Sequence, residues 1–87
     1  MGLVTSFILM ASVKLFAQLR EIAAVSSLNI EGATVAEVVE MVATRFGPNF
    51  IQLLPSCKVW IDGEPSDGTE VVTTDSEIAI LPPVSGG

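Results

Sequence analysis

The residues best suited to chemistry are the last six, Pro82-Pro83-Val84-Ser85-Gly86-Gly87. Two prolines stiffen the base of this stretch into an extended, polyproline-like spacer, and each removes a donor that a sheet ladder requires. Fully extended, the six residues reach about 20 Å. Gly86 and Gly87 carry no side chains, so they can enter a slot too narrow for any other residue. A stiff base with a slender, charged tip suits presentation of the Gly87 carboxylate inside another protein's active site. Leu81, just before the prolines, is placed to seal the rim of that slot.

Self-contained catalysis is not expected. The chain has no His, which removes a His general base, a Ser-His-Asp triad and a His-ligated zinc site. Its one Cys, Cys57, can form neither an internal disulfide nor a Cys-rich metal cluster. That usage fits a reducing, cytoplasmic compartment. No phosphate-binding glycine motif is present. The expectation is a carrier that is acted upon, with no metal and no bound cofactor.

Composition narrows the partners. Hydrophobic residues make up 49% of 87 positions and charged residues 16%, too apolar for a disordered segment. One small domain is expected. The net charge is −6, and Lys14, Arg20, Arg45 and Lys58 are the only cations, scattered along the chain. No phosphate-binding stripe results, so no nucleic-acid partner is expected; a partner with a basic surface is. Residues 3–13 are mostly apolar, but a bilayer span needs about 20 such residues. Met1-Gly2 lacks the positive start of a signal peptide, so no membrane association is expected. Residues 1–9 read as an N-terminal extension whose status the sequence leaves open.

The positioning elements are legible from spacing. Residues 12–17 read as a strand, with Val13, Leu15 and Ala17 on one face and Lys14 and Phe16 on the other. Residues 18–25 supply one or two helical turns, and 26–31 a second strand. Thr34 is a good N-cap, and Glu37 completes a capping box. Val35, Val38, Val39, Val42 and Phe46 then form one apolar stripe, and Gly47-Pro48 end the helix. Residues 48–56 read as a connector anchored by Phe50, Leu53 and Leu54. Cys57 to Asp62 alternates as a strand, with Asp62-Gly63 a hairpin turn. Asp67-Gly68 marks another turn, residues 70–72 a short strand, and 76–81 the last strand.

The order β-(α)-β-α-β-β-β implies an α+β fold, a mixed sheet packed against one main helix. It is the order of the ubiquitin-like β-grasp. The domain is assigned to residues 10–81 and the extended tail to 82–87. Ile78 and Ile80 share the expected core face, which leaves Leu81 beside the tail. Phe16, Trp60 and Leu81 are candidates for an apolar docking patch there. Cys57 reads as a small core residue; Arg20 and Lys58 read as solvated charges. The acidic pairs Asp62/Glu64 and Asp67/Glu70 are explained by turns.

DSEIAILPPVSGG, at residues 75–87, is similar to the C-terminus of the sulfur-carrier (small) subunit of molybdopterin synthase, the MoaD family. VKLFAQLREI, at residues 13–22, resembles that family's first strand and its F-A-x-x-R-E segment. The resemblance implies that a ubiquitin-activating-type adenylyltransferase uses ATP to join the Gly87 carboxylate to AMP. A sulfur donor protein then converts Gly87 to a thiocarboxylate. The tail, with Gly86 and Gly87 at the reacting end, next enters the large synthase subunit and donates sulfur to cyclic pyranopterin monophosphate. Leu81, Pro82, Pro83, Val84, Ser85 and Phe16 are the implied partner-binding residues. The implied assembly is a heterotetramer with its active site in the large subunit. A thiamine-pathway sulfur carrier and a ubiquitin-like protein modifier are the alternatives that share the Gly-Gly end.

One expectation is testable without any partner. A chain beginning at Met10 should fold as well as the full chain, measured by circular dichroism. Insolubility of that truncation would place residues 1–9 within the domain.

Overall fold

A computed structural model describes residues 10–83. The N-terminal extension 1–9 and the tail residues Val84, Ser85, Gly86 and Gly87 lie outside the described residues.

Strand β1 (Met10–Leu15) buries Ala11, Val13 and Leu15 and turns Ser12 and Lys14 outward. The chain then bends out of the sheet at Ala17, whose φ is 49°, a left-handed value uncommon for a residue with a Cβ. Ala17 therefore opens a short helix, α1 (Ala17–Ala23), rather than closing the strand as its alternation implied. Strand β2 (Ser27–Glu31) returns antiparallel beside β1, with Val13 opposite Leu28 and Ala11 opposite Ile30.

Gly32 then permits a close approach to the next helix. A Cβ there would lie 2.8 Å from Val38 Cγ2, closer than side chains pack. Helix α2 (Val35–Phe46) starts at the expected cap: the Glu37 N–H donates to Thr34 Oγ1 at 3.3 Å. The Glu37 carboxylate accepts from the Ala33 N–H at 2.9 Å, one residue further back than a standard capping box reaches. Val35, Val38 and Val42 are buried, joined by Ala43; Val39 and Phe46 pack at the margin.

Two expectations give way here. Residues 48–56 are not an irregular connector but a helix, α3 (Pro48–Leu53), and a 3-10 turn, Leu54–Ser56. Pro48 fits the first helical turn, where its missing N–H costs nothing. Phe50 is fully buried and stacks at a tilt on Phe46, ring centroids 5.6 Å apart. Strand β3 (Lys58–Ile61) follows, and Asp62 and Gly63 take φ of 50° and 85°, the paired positive values of a tight hairpin.

The second correction is that the short strand after this turn is β4 (Glu64–Pro65), not residues 70–72. Val71 makes only an isolated bridge to Thr34, while Val72 is buried and donates its N–H to the Ala33 carbonyl. Asp67 and Glu70 stabilise the loop before it. Asp67 accepts from the Thr69 N–H and hydroxyl, and Glu70 accepts from the Ser66 hydroxyl. These bonds hold both carboxyl groups below their ordinary pKa.

Strand β5 (Glu77–Leu81) closes the sheet, whose order is β2-β1-β5-β3-β4. It runs parallel to β1 and antiparallel to β3. One sheet face, carrying Val13, Leu15, Ile78 and Ile80, packs under the helices; this is the β-grasp architecture. Among the described residues no helix is long and apolar enough to cross a membrane.

Because Thr34 supplies the cap of the helix that covers the sheet, Thr34→Ala should destabilise the domain by about 1 kcal/mol. Thermal denaturation should show a drop of roughly 4–8 °C.

Candidate functional site

Register assembles the site. On the sheet face away from the helices, Lys58 pairs with Leu81 and Trp60 with Ala79. On the other side of β5, Leu15 pairs with Ile80, which brings the next residue of each chain segment, Phe16 and Leu81, to the same end of the sheet. A groove of about 680 Å³ results, walled by Phe16, Trp60 and Leu81 and continued by Pro82 and Pro83. Ala79 leaves room between the larger side chains. Phe16 is 39% exposed, a large apolar surface left open to a partner.

The groove is edged by charge. Lys14 and Glu77 form an ion pair at 3.1 Å between exposed side chains. Lys58 lies at the groove with no ion-pair partner among the described residues. Asp62 fastens the β3–β4 hairpin to the start of β5: its N–H donates to the Glu77 carbonyl and its Oδ1 accepts from the Glu77 N–H. The edge of the groove beside Gly63 is thereby held in place.

Of the residues singled out from sequence, Phe16, Leu81, Pro82 and Pro83 meet in this groove, and Trp60 joins them. Val84, Ser85, Gly86 and Gly87 lie outside the described residues. Arg20 is exposed on α1 and is not part of the groove. Lys58, read from sequence as a solvated charge, is exposed but stands at the tail base. Ala79 and Ser56 were not anticipated. Ala79 could have been found by its two-residue spacing from Leu81; Ser56 is brought in only by the 3-10 turn.

The chain's single thiol is not poised as a nucleophile. The Cys57 thiol donates to the Leu53 carbonyl at 3.2 Å, and burial raises its pKa, which keeps it protonated. Among the described residues no three His, Cys, Asp or Glu side chains converge as metal ligands. The arrangement offers an apolar surface suited to binding.

The mixed sheet under its helices is a ubiquitin-like β-grasp domain, with an apolar groove where β5 runs into Pro82-Pro83. A model of the ThiS family matches residues 13–87, and the chain belongs to that family. Its fold is the sulfur-carrier fold of that family. The solution structure of the small archaeal modifier protein SAMP1 from Methanosarcina acetivorans is similar, with 29% identity and a TM-score of 0.80 over 94% of this chain and 100% of that one. CysO in the BexX/CysO complex of Amycolatopsis orientalis is 27% identical, with a TM-score of 0.71 over 88% and 99% of the two chains. The complex of subunits 1 and 2 of molybdopterin-converting factor from Helicobacter pylori shares the fold, at 20% identity and a TM-score of 0.67 over 90% and 99%. Comparison with curated proteins gives no match.

Neighbouring residues of β5 should respond oppositely to the same change. Ile80 is fully buried, so Ile80→Asp places an unpaired charge in the core and should abolish the folded circular dichroism spectrum. Leu81→Asp should keep that spectrum. Trp60, the chain's single tryptophan, should then report a wetter groove as a red shift of its emission.

Proposed function

We propose that this chain is the sulfur-carrier subunit of molybdopterin synthase. The observation that carries the reading is the apolar groove of Phe16, Trp60 and Leu81 running directly into Pro82-Pro83, ahead of Val84-Ser85-Gly86-Gly87. A partner seated on that groove receives the tail at a fixed angle, because two prolines allow little bending.

A carboxylate is a poor electrophile, so the Gly87 carboxylate first displaces pyrophosphate from ATP in an activating enzyme, forming an acyl adenylate. A donor persulfide attacks that carbonyl and AMP leaves. Reductive cleavage of the resulting acyl disulfide by a donor thiol releases the Gly87 thiocarboxylate. In the synthase large subunit, its sulfur is donated to cyclic pyranopterin monophosphate. This chain contributes binding, reach and the acyl group; acid–base groups come from the partners. Burial of the apolar groove by a partner also keeps water from the thioacid.

Two of the similar proteins are seen in complex with another protein, which supports a partner-dependent role. A second reading is favoured by the 29% identity to a protein named as a modifier. In that reading the acyl adenylate is passed to a lysine amine of a target and forms an isopeptide bond. A thiamine-pathway carrier shares the activation chemistry and differs in the acceptor.

The test is intact mass after incubation with ATP, an activating enzyme and a persulfide source. The expected gain is one oxygen replaced by sulfur, lost when Gly87 is deleted or extended by a tag. Sulfur transfer that survives the tag would exclude Gly87 as the reactive end. Lysine-linked conjugates without transfer to the pterin would establish the modifier reading.

A further inference from the structure

A second groove opens on the helical side of the sheet. Val35, Val39 and Ala43 of α2 face Ile51, Leu54 and Val59 across a space of about 530 Å³. Its floor is apolar. The ionisable side chains lining it are Glu40, on α2, and Asp67, on the facing loop; no Lys or Arg is among its lining residues. Both acids are exposed, and Ile51 at the rim is 49% exposed. Two hydrogen bonds from Thr69 favour the charged form of Asp67, so this edge stays anionic near neutral pH.

We propose that this groove docks an apolar segment of a partner protein flanked by lysine or arginine. An apolar floor within an anionic rim rewards apolar anchors and cationic neighbours, and it repels an acidic segment. The net charge of −6 strengthens that bias over longer range. The groove is distinct from the one at the tail. Strand β3 separates them, with Val59 turned to this groove and Lys58 and Trp60 to the other. A partner holding the tail therefore leaves this surface open, and two proteins can be bound at once. The proposal is independent of the sulfur-transfer reading.

The test uses the full chain, labelled for amide NMR, and three short helical peptides. The first has Leu at i, i+3, i+4 and i+7 with Lys on its flanks. The second replaces each Lys by Glu, and the third replaces each Leu by Ser. The first should bind and shift the amides of Val39, Ala43, Ile51 and Gly68, while the other two should not. Glu40→Gln with Asp67→Asn, which retains an acceptor for Thr69, should weaken it about threefold to tenfold while the folded circular dichroism spectrum is kept. Glu40→Lys with Thr44→Lys should transfer preference to the Glu-flanked peptide. Equal binding of Lys- and Glu-flanked peptides, retained binding by the Ser peptide, or shifts confined to the Trp60 face would each overturn the proposal. So would an apolar dye that fills the groove and is not displaced by the Lys-flanked peptide.

Discussion

The parallel pairing of β1 with β5 is the contact on which the remaining architecture depends. It joins segments more than sixty residues apart, and closing so long a loop has an entropic cost that grows only slowly with length. Val13 beside Ile78 and Leu15 beside Ile80 oppose that cost with four side chains almost wholly removed from water. The same pairing carries Phe16 to Leu81. A register slip of one residue would turn Ile78 and Ile80 to the outer face and put Leu81 into the core. Folding and site assembly are thus one event.

Coverage of the sheet is unequal. Three helices pack on one face, with Leu19, Val38, Val42 and Phe50 buried beneath them. Among the described residues, no helix covers Phe16, Trp60, Ala79 and Leu81 on the opposite face. The apolar patch on this face is edged by Lys14, Glu77 and Lys58. The patch that a partner would cover is also the one that the fold leaves over.

Under the proposed function, the domain's role is presentation. The chain has no His, its single thiol is protonated and hydrogen-bonded, and the ionisable side chains lining the groove are Lys58 and Glu77. The domain supplies a sheet whose β5 runs into two residues that cannot extend the ladder. Pro82 and Pro83 lack the backbone donors needed to prolong β5, so the strand stops at Leu81. The position of Pro82 and Pro83 is set by β5, and β5 is held by strands on both sides.

Much of this was legible in the residues themselves. Alternation in β1, β3 and β5, the Thr34–Glu37 cap, the valine stripe of α2 and the Asp62-Gly63 turn are local patterns whose physics acts within a few positions. The facing of Ile80 and Leu81 follows from a period of two, and the Pro-Pro-Val-Ser-Gly-Gly stretch declares itself by composition. Other features were decided only by tertiary structure. Residues 48–53 are helical because Phe50 finds a buried place against Phe46, although their sequence reads as a connector. Val71 and Val72 look like strand residues, yet no strand pairs along them; packing buries Val72 and leaves Val71 as a lone bridge. Lys58 and Ala79 join the groove because β3 and β5 pair in one register among several that alternation alone permits. Local sequence determines which face a side chain takes, since that depends on its immediate backbone. Which distant side chain lies opposite depends on the one arrangement that buries all the apolar faces together.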